Sequence, residues 1–566
     1  MAGTAAAKCE TETLDFKQEK PALKDTWLDL AEAAVCFANS SGGVIVVGVA
    51  DSRSGQEAFV GCELDTAKLR GRIHELTDPG LLVEVRAFEF AGKRLVEIAV
   101  PEGIQVYSTT KGYTYQRINT DCVPMRPLDV SRLADERRGF DWSARTSGRP
   151  VDDIDPLALR YCRRLLASSV DPARQRYSRF GDMDLLRTMR AVADDGKLSR
   201  AGELMLCEPR NGPVDAIVYL HKRTMGGEPD SILRVGPPMV VALEDISRAI
   251  RVGQRITPVT LASGQQLQIE DYPSAAVREA LVNAIIHRDW RLQMPIRIEH
   301  SPQLLRIDSP GPLVAGVTLS NILAGGSQAR HPALAAGFRL LGLAEDVGLG
   351  IDRMYREMIR SGRDIPLISE DAHRVSVSFR GQAPNTRIAE FVASLPEEER
   401  DDTDAMLTIL LLCTHRAVSA SDVAQVIQRS PEDAQAVLLR LAAAPANILE
   451  PTRATMRYRF PAYRLRAEVV ARLGSAVAYH SRAQEDIDAK VIEHVRDYSY
   501  VNNRTIQRLF DMNVYQARDI IRDLVSRELL TRTSEAKRGT AVRYGPGSAF
   551  PRKSTRKSTP SPSTTN

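Results

Sequence analysis

The stretch 272–290, YPSAAVREALVNAIIHRDW, constrains this chain more than any other. Its apolar residues recur at helical spacing, with Ala276, Ala280, Val282 and Ile286 on faces neighbouring those of Asn283 and His287. Glu279 and Asn283 stand four residues apart, one turn along the same face. The apolar flanks predict that this face is buried, and buried polar groups require partners. A Mg²⁺–triphosphate with its attacking water satisfies both, since a carboxamide oxygen ligates Mg²⁺ and a carboxylate orients or deprotonates water. The same spacing also fits a surface helix with polar residues at i and i+4, so the segments downstream have to decide.

Three of them bear on the choice. The runs IRIEH and LLRIDS read as strands, and the second leads through Asp308 and Ser309 into the tight turn PGPL. TLSNILAGGSQARHPAL reads as a glycine-containing lid that carries the cation Arg330. In LGLAEDVGLGIDRM, Gly348 and Gly350 precede a helix, where backbone N–H groups and the helix dipole suit phosphate oxygens. This ordered set (E-x-x-x-N-x-x-x-H-R-D, a P-G-x-L turn, a lid, then G-x-G-I) resembles the GHKL, or Bergerat, ATP-binding fold over about 272–360. More narrowly, it is similar to the branch fused to Schlafen/AlbA-type domains in prokaryotic regulators. The resemblance implies ATP and Mg²⁺ as cofactors, Glu279 as the general base for hydrolysis and Asn283 as the Mg²⁺ ligand. It also implies Gly311 in the adenine-side turn, Gly348 and Gly350 beside the phosphates, and Arg330 in the lid. Ser309 stands where the family has Asn or Asp against the adenine amino group, with Asp308 as the neighbouring substitute, and His331 replaces the lid Asn. Those departures imply nucleotide binding with at most weak ATPase activity, so whether the chain is an enzyme stays open. No G-x-x-x-x-G-K-[ST] occurs, which disfavours a P-loop motor.

At the other end, ETETLDFK places Glu10, Glu12 and Asp15 on an extended segment. The helical pattern Thr26–Asn39 is followed by Ser-Ser-Gly-Gly and the buried-strand run VIVVGVA, after which Asp51 enters a turn. Carboxylates at strand ends can hold Mg²⁺ or Mn²⁺, though most simply face solvent. ETETLDFK, CFANSSGGVIVVGVAD and GYTYQRINT together resemble the Schlafen/AlbA-type (divergent-AAA) domain, which implies nucleic-acid binding. By resemblance to Schlafen ribonucleases, Glu10, Asp15 and Asp51 are the alternative nuclease residues, with Asp15 where Glu is usual. Lys17 and Arg117 are candidate phosphate contacts, or else partners for neighbouring carboxylates. Further strands are expected in LLVEVRAFEF, RLVEIAVP and YTYQRIN, and a helical middle contains the apolar run DAIVYLH. KLSRAGELMLCEP resembles a motif that packs the first domain on the ATP domain.

The last third is a different kind of chain. Helix–helix–helix–hairpin order appears twice, within 404–460 and again within 485–545, and this is the order of a winged helix-turn-helix. Ser419 or Ser421, and Pro431, suit helix starts, and ILEPT and MRYRF read as the first wing. In the second unit Asn513, Gln516, Arg518 and Arg522 lie on the third helix, and Lys537 and Arg538 sit at the hairpin tip, all donors for bases or phosphates. Residues 531–566 hold eight basic residues against Glu535 alone, a surplus of +7 that exceeds the whole chain's +4. The final PRKSTRKSTPSPSTTN is expected to be a disordered basic tail.

The 566 residues therefore divide into a Schlafen/AlbA-type domain (1–143), a helical/mixed linker domain (154–270), the ATP-binding domain (271–380), a winged-helix-like unit (390–475), a winged helix (484–548) and a tail (549–566), with linkers RTSGRPVDDI and QAPNTR. The expected class is multidomain α+β: a mixed α/β first domain, an α/β sandwich and two α-rich units. No run of about 18 apolar residues occurs and the start has no signal-peptide core, which predicts no membrane span and a cytoplasmic chain. Seven isolated Cys without a CxxC argue against a disulfide framework or structural zinc. The function these features imply is a homodimeric, ATP-binding transcriptional regulator whose partner is DNA, with RNA as the alternative partner. The runner-up is a Mg²⁺/Mn²⁺-dependent Schlafen-like endoribonuclease with a defence or stress role.

Overall fold

Between Leu23 and Ala38 the chain has neither Gly nor Pro, and it forms one helix that ends at Asn39 and the glycine pair. The helix carries the chain from the strand Leu14–Lys17 to Gly43–Val47, and the two pair in parallel, Leu14 opposite Val44 and Lys17 opposite Val47. Lys93–Val100 and then Glu84–Phe90 complete a four-stranded sheet. Leu30, Ala34 and Phe37 of the helix pack on Ile45, Val96 and Ile98 of the sheet. The expected strand Val44–Ala50 stops at Val47, because Gly48 has φ +104° and its carbonyl accepts the N–H groups of Val60 and Gly61. Gly42 has φ +72°, and a Cβ there would lie 2.7 Å from the Glu102 nitrogen and 2.8 Å from the Val100 oxygen. Both are backbone atoms that cannot rotate away. Gly42→Ala is expected to destabilise the fold by roughly 2 kcal/mol in urea unfolding; an unchanged midpoint would mean that the turn relaxes.

The computed structural model describes residues 5–551 except 211, 213, 261–265, 325–327, 345–349, 372, 453–454, 456–457, 478–482, 511–513 and 535–541. Two units divide the chain, Met1–Ala389 and Glu390–Asn566.

The centre of the first unit is a six-stranded sheet in the order Pro229–Val235, Ile217–Lys222, Ile296–His300, Leu304–Pro310, Arg374–Arg380, Leu367–Asp371. This corrects the division at 270/271. The apolar run at 215–221, expected within a helical/mixed linker domain, forms the strand Ile217–Lys222, which pairs in parallel with Ile296–His300. One hydrophobic core runs from Ala158 to Phe379 and includes Met239, Ile246, Leu281, Ile285, Met354 and Phe338. Residues 154–270 and 271–380 are thus one body. Nor is 145–154 a free linker, since Ser147 N–H donates to the Leu198 carbonyl at 2.9 Å and Arg149 donates to the Glu208 carbonyl at 2.7 Å. The KLSRAGELMLCEP motif supplies the helix Arg200–Leu206, capped by Ser199, with the Arg200 guanidinium 4.7 Å over the Trp142 ring.

The thiols are not all isolated: Cys36 on the first helix and Cys122 on the strand Asp121–Pro124 form a disulfide with Cα atoms 5.9 Å apart. The pairing escapes sequence inspection because 86 residues separate the two. Cys9, Cys62, Cys162, Cys207 and Cys413 are free.

In the second unit, helices Thr403–Thr414, Ala420–Ile427 and Pro431–Ala442 are followed by a ladder of Leu449–Pro451 with Tyr463–Leu465. Ser419 caps the second of these helices. The second strand is not MRYRF, because Tyr463 and Leu465 are buried with Leu449 while Tyr458 and Phe460 are exposed. The order repeats in helices Ala483–Tyr498, Asn503–Phe510 and Val514–Ser526 and a ladder of Leu530–Arg532 with Tyr544–Pro546, around Val491, Val495, Ile506, Ile521 and Leu524. Among the described residues no helix is long and apolar enough to cross a membrane.

Candidate nucleotide site

The helix Ser274–His287 starts where the Ser274 hydroxyl donates to Glu270 at 2.8 Å. It is buried over most of its surface rather than along one stripe, with Arg278 exposed, since it lies between the sheet and other helices. Of its polar pair, Glu279 is buried and Asn283 half-buried. Glu279 is 3% exposed, and together with Asn283 it lines a cavity of about 170 Å³. The opposite wall is Gly350, the first residue of the helix Gly350–Arg360. A Cβ on Gly350 would stand 3.1 Å from Glu279 Oε2 and 3.4 Å from Asn283 Nδ2. The Gly350 backbone is therefore packed closely against the pair. Burial pushes the Glu279 carboxyl up to about 7, and the neighbouring Arg353 and Arg278 pull the other way. Arg353, one turn beyond Gly350, approaches Glu279 Oε1 at 3.6 Å. A carboxyl balanced near neutrality can take or return a proton at physiological pH.

Ser309 and Gly311 line the same cavity. The Ser309 hydroxyl is committed to the Ala284 carbonyl at 2.9 Å. Gly311 has φ +102°, and a Cβ there would press on Asp289 at 3.0 Å. Asp308 stands apart: Arg306 holds it at 2.7 Å and Arg374 at 3.6 Å, and it does not line the cavity. Arg330 is likewise not a lid cation facing the cavity. Its guanidinium is buried and donates to the carbonyls of His287 (2.9 Å) and Pro312 (2.7 Å) and to Glu136. His331, in place of the lid Asn, bonds through Nε2 to the Arg288 carbonyl at 2.9 Å. Gly348 lies outside the described residues.

In the N-terminal domain, Glu10 Oε1 accepts the Phe16 N–H at 3.3 Å, and burial, then Asp15, raise its pKa. Burial also raises Asp51, with Lys17 opposing and Asp15 adding to the shift. Asp15 is buried and held by Lys17 at 2.8 Å, with Arg117 at 3.8 Å. The three carboxylates thus share one neighbourhood, but a lysine occupies its middle. Among the described residues no group of three or more His, Cys, Asp or Glu is arranged to hold a metal ion. Arg117 is a buttress rather than an open phosphate contact. It donates to the carbonyls of Thr11 (3.0 Å) and Leu14 (3.2 Å), and its guanidinium lies 4.6 Å from the Phe37 ring centre. Sequence reasoning missed Asn39, which is buried and bonds both N–H and carbonyl of Tyr107 and the carbonyl of Tyr115. Its place in the FANSSGG run was the available signal.

On the helix Val514–Ser526, Arg518 and Arg522 are exposed, and Arg518 lies 5.6 Å over the Tyr515 ring and 3.6 Å from Asp519. Asn513, Lys537, Arg538 and residues 552–566 of the basic tail lie outside the described residues, as does the side chain of Gln516.

Two segments match known families. Residues 10–126 match the family described as "Schlafen, AlbA_2". Residues 293–379 match "Putative ATP-dependent DNA helicase recG C-terminal", a span that begins after Glu279 and Asn283. Among solved structures the chain is similar to the crystal structure of the DIP2311 protein from Corynebacterium diphtheriae, at 25% identity and a TM-score of 0.53, over 94% of this chain and 95% of that one. No curated protein matches.

Proposed function

We propose that the 154–380 body binds ATP with Mg²⁺ in the cavity between Ser274–His287 and Gly350–Arg360, in the manner of a GHKL domain. Nucleotide occupancy then modulates how the N-terminal domain and the C-terminal winged helices engage DNA, which makes the protein a transcriptional regulator. The observation that carries this reading is the buried Glu279 and the half-buried Asn283 lining one cavity with the Gly350 backbone against them. The donor set fits: a carboxamide oxygen suits Mg²⁺, and a carboxyl poised near 7 suits water activation. When bound, Mg²⁺ supplies charge stabilisation at the phosphates. Within the site Asn283 orients the nucleotide, Glu279 holds or moves the proton of a water, and the apolar walls from Ile307, Val314 and Met354 exclude bulk solvent.

The two family matches are consistent with combined nucleotide and nucleic-acid interaction. A homodimer belongs to the same proposal, since winged helices read paired half-sites. The nuclease reading ranks below it, because the Lys17 ammonium neutralises Asp15. Calorimetry with ATP and Mg²⁺ tests the proposal. Wild type is expected to bind, and Asn283→Ala to weaken binding roughly 100-fold, about the loss of one charge-assisted contact. Absence of heat with the wild-type protein overturns it.

A further inference from the structure

The wall of the nucleotide cavity is held from behind by the N-terminal domain. Its rim is the 312–322 segment, from which Pro312, Leu313, Val314 and Val317 face the cavity. The other side of that segment faces the N-terminal domain across a second cavity of about 100 Å³, which Ser40, Arg117, Arg132 and Glu136 also line. Glu136 lies in the helix Pro127–Arg137 and makes two contacts across this boundary. Its Oε2 accepts the Ala315 N–H at 3.1 Å, and its Oε1 accepts the Arg330 guanidinium. Arg330 passes the connection on, to the Pro312 carbonyl in the rim and to the carbonyl of His287, the last residue of the helix that carries Glu279 and Asn283. Arg330 is only 7% exposed, so water does not screen the pair. A second tie runs beside it: the Ser320 hydroxyl donates to Glu12 Oε2 at 3.0 Å, and Glu12 belongs to the same acidic segment as Glu10.

We propose that Glu136, supplied by the N-terminal domain, is the positioning residue of the nucleotide rim and the point through which nucleotide occupancy reaches that domain. This rests on the nucleotide reading above. A rim that tightens on a triphosphate pulls on Ala315 and Pro312, and both are fastened to the Glu136–Arg330 pair. Coupling of this kind is reciprocal, so the N-terminal domain's own ligand changes affinity for the nucleotide by the same factor.

Hydrogen exchange of the full chain with and without ATP and Mg²⁺, with calorimetry alongside, tests it. In wild type, nucleotide is expected to slow exchange in both 312–322 and 127–137. Glu136→Ala is expected to weaken nucleotide binding about tenfold and to abolish the response in 127–137 while 312–322 still responds. Glu136→Gln keeps an acceptor for the Ala315 N–H and is expected to fall between the two. It also serves as the deciding variant if Glu136→Ala, which strands the buried Arg330 charge, fails to fold. Nucleotide binding with unchanged exchange in 127–137 of wild type overturns the coupling alone, as does a Glu136→Gln protein identical to wild type. Absence of binding in wild type overturns the nucleotide reading, and this inference with it.

Discussion

Acidification from pH 6.5 to 4 is expected to lower the stability of the first unit by several kcal/mol. Three histidines there, His287, His300 and His331, are pushed down to about 4, in each case chiefly by burial. Arg330 adds to the effect at His287 and His331, and His221 adds to it at His300. The geometry explains the neutral state. His300 is 1% exposed and shares one 2.7 Å hydrogen bond with the Tyr219 hydroxyl, while its Nε2 has no partner among the described residues. His331 donates to the Arg288 carbonyl and its Nδ1 is likewise unpartnered among them. A proton added at either nitrogen would be a buried N–H⁺ without an acceptor. Because the folded value lies below the unfolded one, the unfolded chain takes up protons first as pH falls. The stability present above pH 6.5 is lost on descent towards 4, by about 3 kcal/mol for each of the two buried rings, His300 and His331, and by less for His287, which is half-buried and lines the cavity. Glu279 works in the opposite direction over nearly the same range and returns about 3 kcal/mol. The net loss is about 3–5 kcal/mol, against a usual domain stability of about 5–15. Trp27, Trp142 and Trp290 are the chain's three tryptophans and all lie in the first unit, so their fluorescence in urea follows that unit alone. A urea midpoint that does not move between pH 7 and pH 4.5 would show that these rings are already charged or solvated.

The second large effect is a gain. Glu279 has an ordinary value of 4.5 and is pushed up to about 7. Its folded value is raised, so its contribution is fully present below pH 4.5 and disappears as pH rises through 7. At pH 8 the folded protein therefore holds a carboxylate in a site from which water is largely excluded. Glu279→Gln removes that charge while keeping the shape. It is expected to stabilise the first unit by about 3 kcal/mol at pH 8 and to change nothing at pH 4.5. The same variant should still bind nucleotide but lose any hydrolysis. Equal stability of the two proteins at pH 8 would refute the buried-carboxylate account, since a hydrated glutamate gains nothing from becoming an amide.

What could be read from the amino acids alone followed the range of the interactions involved. The Ser274–His287 helix and its Glu279–Asn283 face were legible because both are set by spacing within one turn. The cap at Ser419 was legible for the same local reason. The roles of Arg117 and Arg330 were not, because their partners are carbonyls brought in from remote stretches: Thr11 and Leu14 for one, His287 and Pro312 for the other. A cation next to a phosphate-binding motif and a cation that props up backbone look identical in one dimension. Asp308 was misjudged similarly, since Arg374 reaches it only because the strands Leu304–Pro310 and Arg374–Arg380 are neighbours. The apolar run at 215–221 fits helix or strand equally, and only its pairing with Ile296–His300 decides.

That pairing also bears on how the molecule can be made. The Leu14–Lys17 sheet is complete once residue 100 has left the ribosome, so the N-terminal module can mature early. The central sheet cannot: Ile217–Lys222 waits with one open side until Ile296–His300 is synthesised, and Arg374–Arg380 arrives later still. During that interval a nascent chain exposes an unfilled β edge next to apolar residues such as Ile217 and Tyr219, the condition under which chains stick to each other or call on chaperones. Slower folding is the expected cost of drawing one sheet from strands so far apart.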